Sequence, residues 1–176
     1  MRLLKIFVLI ILLTAGLFFL ILLDKADRSI IYSGYTPEEE FTEFRMYKTV
    51  EEVKRAYERH FKDTIYKFPR QKVKKVKIFK SIPIISRLTR RELNETEIIS
   101  FFNNPENFDW NETTWSLDES EYILRFYDSN NEVIGKVWIC LKDCGMTESI
   151  PFAPTMKFGA LTETGRKQIE KIIEKK

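Results

Sequence analysis

The sequence predicts an α+β domain, built from an antiparallel sheet with a few packed helices and preceded by one N-terminal transmembrane helix. Three patterns lead to this fold class: an apolar run over residues 6–23, two strand-like segments joined by a turn, and helix-spaced apolar residues that follow capping signals. The composition is 44% hydrophobic and 14% aromatic, which is typical of a folded body rather than a disordered chain.

The first segment, residues 1–23, is predicted to be a membrane anchor. Arg2 and Lys5 precede an uncharged apolar run, and a helix of this length roughly matches the ~30 Å hydrocarbon core of a bilayer. A cleaved signal peptide is the main alternative, and a buried helix of a soluble protein is the other. A signal peptide has a shorter apolar region that ends at small residues. Here Ala15 and Gly16 are followed by further bulky apolar residues, 17–23, which favours a retained span.

The charges that flank the anchor predict its orientation. Arg2 and Lys5 lie before the span, whereas the acidic and basic residues that follow it nearly cancel. Because positive flanks stay in the cytosol, we expect a cytoplasmic N-terminus and a domain in the periplasm, the cell exterior or a secretory lumen. Residues 24–46 lack periodicity and are interpreted as a juxtamembrane tether, and residues 47–176 as the extracytosolic α+β domain.

Three helices are predicted in the domain. Thr49 with Glu52, and Asn94 with Glu97, have the spacing of a capping box, and each pair precedes apolar residues at helical intervals. The second of these helices should end at the Asn-Asn-Pro sequence of residues 103–105. A last amphipathic helix is expected over 163–174.

The strands are predicted from alternation of apolar and polar residues. Residues 73–80 alternate in part, with lysines on the face opposite to Val76 and Ile78. Residues 121–127 and 132–141 form a hairpin whose turn, 128–131, consists of Asp, Ser and Asn. In the second hairpin strand we expect Ile134 on the face opposite to Val137. The strand order does not follow from these patterns.

Charge is unevenly distributed along the domain. No acidic residue occurs between Asp63 and Glu92, and from Glu92 to Glu132 the only basic residue is Arg125. The two blocks either neutralise each other within the fold or leave a basic patch that faces anionic lipid or an acidic protein. Nucleic acid is not expected, because the basic run lacks interleaved aromatic residues. The candidate binding residues are Lys72, Lys74, Lys75, Lys77, Lys80, Arg90 and Arg91.

Cys140 and Cys144 are the two cysteines of the chain, and a turn between them would allow a disulfide. An oxidising compartment favours that bridge over two buried thiols or a metal or redox pair. A zinc site needs about four ligands, and His60 is the only histidine. We therefore predict neither a metal nor a cofactor.

No catalytic or nucleotide-binding motif is present, and the acidic residues lack the spacing of a calcium loop. These observations favour a single-pass, membrane-anchored binding module outside the cytosol. Its partner is open among an envelope protein, an anionic lipid surface and a toxin. The alternative is an envelope hydrolase that uses carboxylates, drawn from an acidic set that we otherwise interpret as a solvated face: Glu106, Asp109, Glu112, Asp118 and Glu121.

Overall fold

The computed structural model describes residues 2–28, 49–60, 67–82, 84–110, 119–142, 144–158 and 160–175. Most of the predicted tether, from residue 29 onwards, lies outside these ranges. The side chain of His60 also lies outside the description.

The N-terminal helix α1 spans Arg2–Arg28. Within it the 21 residues Leu3–Leu23 are long and apolar enough to cross a membrane, and none of that segment is buried. Its one hydroxyl side chain, Thr14, donates hydrogen bonds to the carbonyls of Ile10 and Ile11 at 3.0 and 2.9 Å. The Thr14 hydroxyl is thus satisfied within the helix, which is compatible with hydrocarbon surroundings. It also continues into the first residues of the segment interpreted as a tether.

Helix α2 spans Val50–His60 and begins at the predicted capping box. The Thr49 amide donates to the Glu52 carboxylate, and the Glu52 amide donates to the Thr49 hydroxyl, both at 3.2 Å. Val53 and Tyr57 of this helix form a small buried cluster with Trp110. The rings of Tyr57 and Trp110 lie 5.2 Å apart.

The described strands form one antiparallel sheet. Their bounds are Lys75–Lys80 for β1, Arg91–Leu93 for β2, Tyr122–Tyr127 for β3, Val133–Cys140 for β4 and Met146–Ile150 for β5. Their order in the sheet is β2-β1-β3-β4-β5. The predicted first strand and the predicted hairpin are confirmed as β1, β3 and β4, and so is the α+β fold class. The short strands β2 and β5 were not predicted.

One face of the sheet packs against helices α3, Glu95–Phe102, and α5, Glu163–Glu174. Asn94 and Thr162 cap these helices through their side-chain oxygens. The short helix α4, Pro154–Phe158, adds the buried Met156 to this core. Apolar burial of this kind, at about 25 cal/mol per Å², is the main stabilising term of the domain. The central members of the core are Val76, Ile78, Leu124, Phe126, Val137, Ile139, Ile98, Phe101, Phe102, Ile169, Ile172 and Ile173.

A bulge changes the predicted alternation of β4. Phe126 pairs with Gly135 and the next residue, Tyr127, pairs with Val133, so Ile134 is an extra residue without a partner. Ile134 therefore belongs to the helix-side core together with Val137, and its predicted placement on the opposite face is wrong. An inserted residue shifts the two-residue period of a strand, and the sequence pattern alone did not reveal it.

Candidate functional site

The structure separates the seven candidate basic residues along β1. Lys72 and Lys74 are exposed just before the strand begins, and Lys80 and Arg90 are exposed near its far end. Six residues of strand at about 3.3 Å each separate the two groups by roughly 20 Å. The exposed residues of the basic block, which is continuous in the sequence, therefore form two separate groups in the structure.

The other three candidates make contacts within the fold. The Lys75 ammonium donates to the side-chain oxygen of Asn131 at 3.2 Å. The Lys77 ammonium lies 4.8 Å from the ring centroid of Tyr127. The Arg91 guanidinium donates to backbone carbonyls of Ile173 and Lys175 at the end of α5. Free carbonyls at a helix C-terminus favour a cation there, so Arg91 joins the edge strand β2 to α5.

Lys77 also belongs to a cationic row that the sequence did not reveal. It pairs with Arg125 on β3, which pairs with Lys136 on β4, so the three residues lie side by side on the face opposite to the helices. Arg125 stands over the ring of Phe79 with 5.0 Å between the guanidinium carbon and the centroid. Only the strand register reveals this row, because Arg125 lies within the acidic block of the sequence.

The electrostatic surroundings of Lys77 follow from this row. Burial lowers the pKa of its ammonium, and the neighbouring cations Lys75, Arg90 and Arg125 lower it further. Glu92, which faces Lys77 from β2, acts in the opposite direction. Like charges on adjacent strands repel, and Lys136 at the end of the row is buried, so the row lies on a largely covered face of the sheet.

Two acidic residues of the second block make ion pairs away from the basic block. The Glu97 carboxylate lies 2.5 Å from the Lys175 ammonium, and the Glu121 carboxylate lies 3.8 Å from the Lys142 ammonium. Between the blocks, Lys77 and Glu92 are direct cross-strand neighbours. The carboxylates of Glu97 and Glu121 therefore form ion pairs with lysines outside the basic block.

A groove lies where β1 ends and β3 begins. It consists of two adjoining hollows of about 510 Å³ each, which share Lys80, Ile82, Tyr122 and Glu174. Both basic and acidic side chains line it, so it has no single charge. The other lining residues are Ile78, Thr89, Arg91 and Ile173 in one hollow, and Ser81, Ser120, Glu121, Leu141, Lys142 and Glu170 in the other.

Glu121, a carboxylate considered for hydrolysis, has a structural role in this groove. One of its oxygens accepts hydrogen bonds from the amides of Leu141 and Lys142 at 2.8 and 3.2 Å. A carboxylate oxygen that accepts hydrogen bonds from two backbone amides is occupied by the fold, which suits neither a proton donor nor a nucleophile. Two other residues of that set, 112 and 118, lie outside the described ranges. Among the described residues, no three His, Cys, Asp or Glu side chains are grouped as metal ligands.

The two cysteines meet at the end of β4. The Cα atoms of Cys140 and Cys144 lie 5.8 Å apart, and their sulfur atoms are at disulfide-bonding distance. Gly145 follows with a φ of 59°, a left-handed conformation that glycine adopts without strain. The Cα separation lies within the range that a disulfide spans.

Comparisons of this chain with protein family models, with curated proteins and with solved structures found no match. Fold class alone does not define an activity, so function has to be inferred from the residues and their surroundings.

Proposed function

We propose that this chain is a single-pass, membrane-anchored interaction module whose domain lies outside the cytosol and binds an anionic partner. The apolar segment Leu3–Leu23 of α1 supports the anchor by its length and by the absence of buried residues. Arg2 and Lys5 support a cytoplasmic N-terminus, because the flank after the span carries almost balanced charge.

One observation carries the binding proposal: basic side chains are exposed at both ends of β1, while two residues of the acidic block, Glu97 and Glu121, pair with other lysines. Lys72, Lys74, Lys80 and Arg90 are exposed. Glu97 and Glu121 pair instead with lysines of the C-terminal half. Exposed basic groups attract anions and concentrate them.

The carboxylate hydrolase is the weaker candidate. Glu121 in the groove is held by two backbone amides. Of the other two carboxylates that line the same hollow, Glu170 pairs with Arg166 at 3.6 Å, and both belong to α5.

The proposal is tested with the full-length protein in nanodiscs of neutral lipid, exposed to anionic vesicles and to an acidic polypeptide over a range of salt concentrations. A basic-surface variant combines Lys72→Glu, Lys74→Glu and Lys80→Glu. A control variant combines Lys54→Glu, Arg59→Glu and Lys171→Glu, which are exposed residues of α2 and α5, and changes the net charge equally.

We expect wild-type binding to at least one probe to weaken with salt, because the Debye length is about 8 Å at physiological ionic strength and shorter above it. The basic-surface variant should bind about tenfold or more weakly, since each basic residue near an anionic surface contributes about 1 kcal/mol. The control should stay close to wild type. Equal losses in the two variants, or no salt-sensitive binding at all, would contradict the proposal.

A further inference from the structure

The loop between β1 and β2, residues 81–90, presents apolar side chains to solvent. Ile82, Ile85 and Leu88 are 40%, 43% and 79% exposed. Among the described residues outside α1, these are the large hydrophobic side chains that are exposed, and all three fall between positions 82 and 88. Single exposed apolar residues are ordinary on a protein surface, whereas a contiguous group indicates a surface that meets something else.

Hydrogen bonds hold this loop in shape. The Lys80 amide donates to the Thr89 hydroxyl oxygen at 2.8 Å, and that hydroxyl donates to the Ser86 carbonyl at 2.6 Å. The Leu88 amide donates to the Ile85 carbonyl at 2.9 Å at the start of a 3₁₀ turn, Ser86–Thr89. Residues three apart are aligned on such a turn, so Ile85 and Leu88 project on the same side. The fold therefore builds and supports an apolar tip.

The loop that carries the tip is basic. Lys80, Arg87 and Arg90 are exposed, and the sequence has no acidic residue from position 64 to position 91. Glu174 of α5 lines the groove on the side of Ile82, away from Leu88 in the sequence of the loop. An apolar tip with a cationic rim matches the interface of an anionic bilayer. The acyl region accepts the isoleucine and leucine side chains, and lipid phosphates attract the lysine and arginine side chains.

We infer that this loop inserts into the surface of the membrane in which α1 is anchored, so that the anionic partner of the domain is the bilayer itself. The inference rests on the proposed function, because it requires α1 to be embedded. Residues 29–48 connect α1 to α2, and a chain of that length reaches at most about 70 Å. The tether keeps the loop at a high effective concentration near the bilayer, so weak insertion suffices.

The cationic rim favours lipid over the competing occupant, an apolar groove of another protein. A protein partner for the tip would need acidic residues around an apolar socket. A bilayer with anionic headgroups supplies both features without a specific fold, and α1 keeps it within reach.

The test uses the full-length protein in nanodiscs of mixed neutral and anionic lipid. Leu88→Cys carries an environment-sensitive fluorophore, and lipids with a nitroxide on the acyl chain act as the quencher. Ser100→Cys with the same fluorophore is the matched control, because Ser100 is exposed on α3 and is not part of the loop. Thermal unfolding of each labelled protein verifies that the fold is intact.

We expect strong quenching of the label at position 88 and little at position 100. Adding Ile82→Ser and Ile85→Ser should lower the ratio of inserted to free loop about tenfold, because apolar contact with the acyl region is lost. The comparison with and without the serine substitutions also shows whether the loop or the fluorophore drives insertion. Equal quenching at the two positions overturns the inference, and so does quenching that the serine substitutions leave unchanged.

Protection of the label at position 88 only after a second protein is added also overturns the inference, in favour of a protein partner. Failure of the inference and failure of the proposed function are distinguishable. If the label stays in water while binding through Lys72, Lys74 and Lys80 remains salt-sensitive, only the loop insertion is wrong. If alkaline carbonate extracts the protein from membranes, the anchor itself is wrong.

Discussion

The side-chain amide of Asn103 hydrogen-bonds both backbone groups of Phe68. The Phe68 amide donates to Oδ1 of Asn103 at 2.9 Å, and Nδ2 of Asn103 donates to the Phe68 carbonyl at 2.5 Å. Nδ2 also donates to the Ile99 carbonyl at 2.9 Å, within the same helix. One residue at the end of α3 thus fixes the chain segment that places the Phe68 ring against Phe126, with ring centroids 4.8 Å apart.

Asn103→Ala should therefore lower the free energy of unfolding by about 2–3 kcal/mol, because several part-buried backbone groups lose their partners. Asn104→Ala is the matched control. Its side chain accepts one exposed hydrogen bond from the Glu106 amide, and its loss should cost about 1 kcal/mol or less. Urea unfolding in detergent measures both values. If the two variants are equally stable, Asn103 does not hold the Phe68 segment.

Alkaline pH should destabilise the domain through Tyr57. Burial raises the pKa of its hydroxyl from 10.0 to about 12, and the hydroxyl donates to the Asn103 carbonyl at 3.5 Å. The folded state therefore holds this proton more tightly than the unfolded state. The resulting contribution is fully present below pH 10 and is lost as the pH rises from 10 through 12.

Tyr57→Phe removes the titrating group, so the free energy of unfolding of this variant should decrease less steeply above pH 10 than that of wild type. Chemical unfolding at a series of pH values compares the two slopes. Identical slopes would show that Tyr57 ionises as readily in the folded protein as in the unfolded chain.

Cys140 and Cys144 should form a disulfide in the native compartment. Since Cys140 is buried, the protein must be denatured in the presence of the alkylating reagent before and after reduction. Mass spectrometry should then find no alkylation of the unreduced protein and two modified thiols after reduction. Two thiols that react without reduction would refute the bridge.

Replacing both cysteines by serine should destabilise the protein by about 2 kcal/mol without abolishing folding, because the closed loop is short. The loss should appear at the end of β4, where Cys140 pairs with Met146. Hydrogen exchange of the amides near that pair locates the effect.

Protease added to the outer side of intact cells or spheroplasts should digest the domain, because the positive flank formed by Arg2 and Lys5 favours a cytoplasmic N-terminus. Reversing both charges to glutamate should reduce the fraction of protein with this orientation. An immunoblot against the domain measures that fraction. A domain that is protected in intact spheroplasts and digested only after lysis would place it on the cytosolic side.

The sequence was sufficient to predict those helices and strands whose signals lie within a few neighbouring residues. The Thr49–Glu52 and Asn94–Glu97 pairs predict helix starts because capping depends on residues within one turn. The β2 strand was missed because its three residues include Arg91 and Glu92, and it becomes a strand only by pairing with β1. Its formation depends on a tertiary contact that no local pattern encodes.

The candidate site could be predicted only in part, again because tertiary contacts are not encoded locally. The basic run was visible in the sequence. Which of its residues stay exposed and which contact other residues depends on the elements that pack beside β1 and β2. Arg91 binds the end of α5, and Lys77 meets Arg125 only through strand register. The apolar tip was also missed, although Ile82, Ile85 and Leu88 recur every third residue within the basic block, which was the available signal.

The two ends of β1 are far enough apart that a reporter at one end does not reach the other. Lys80 pairs with Tyr122 at the groove end, and Lys75 pairs with Tyr127 at the end that carries the hairpin turn. Arg91 fixes the last turn of α5 beside the groove, so a fluorescent protein fused after residue 175 would crowd the groove. An epitope inserted between Asn130 and Asn131 would emerge roughly 20 Å away, at the opposite end of β1. It would leave the groove and the apolar tip free but would disturb Lys75, which donates to Asn131, beside Lys74. A reporter in that turn therefore suits measurements at the groove end.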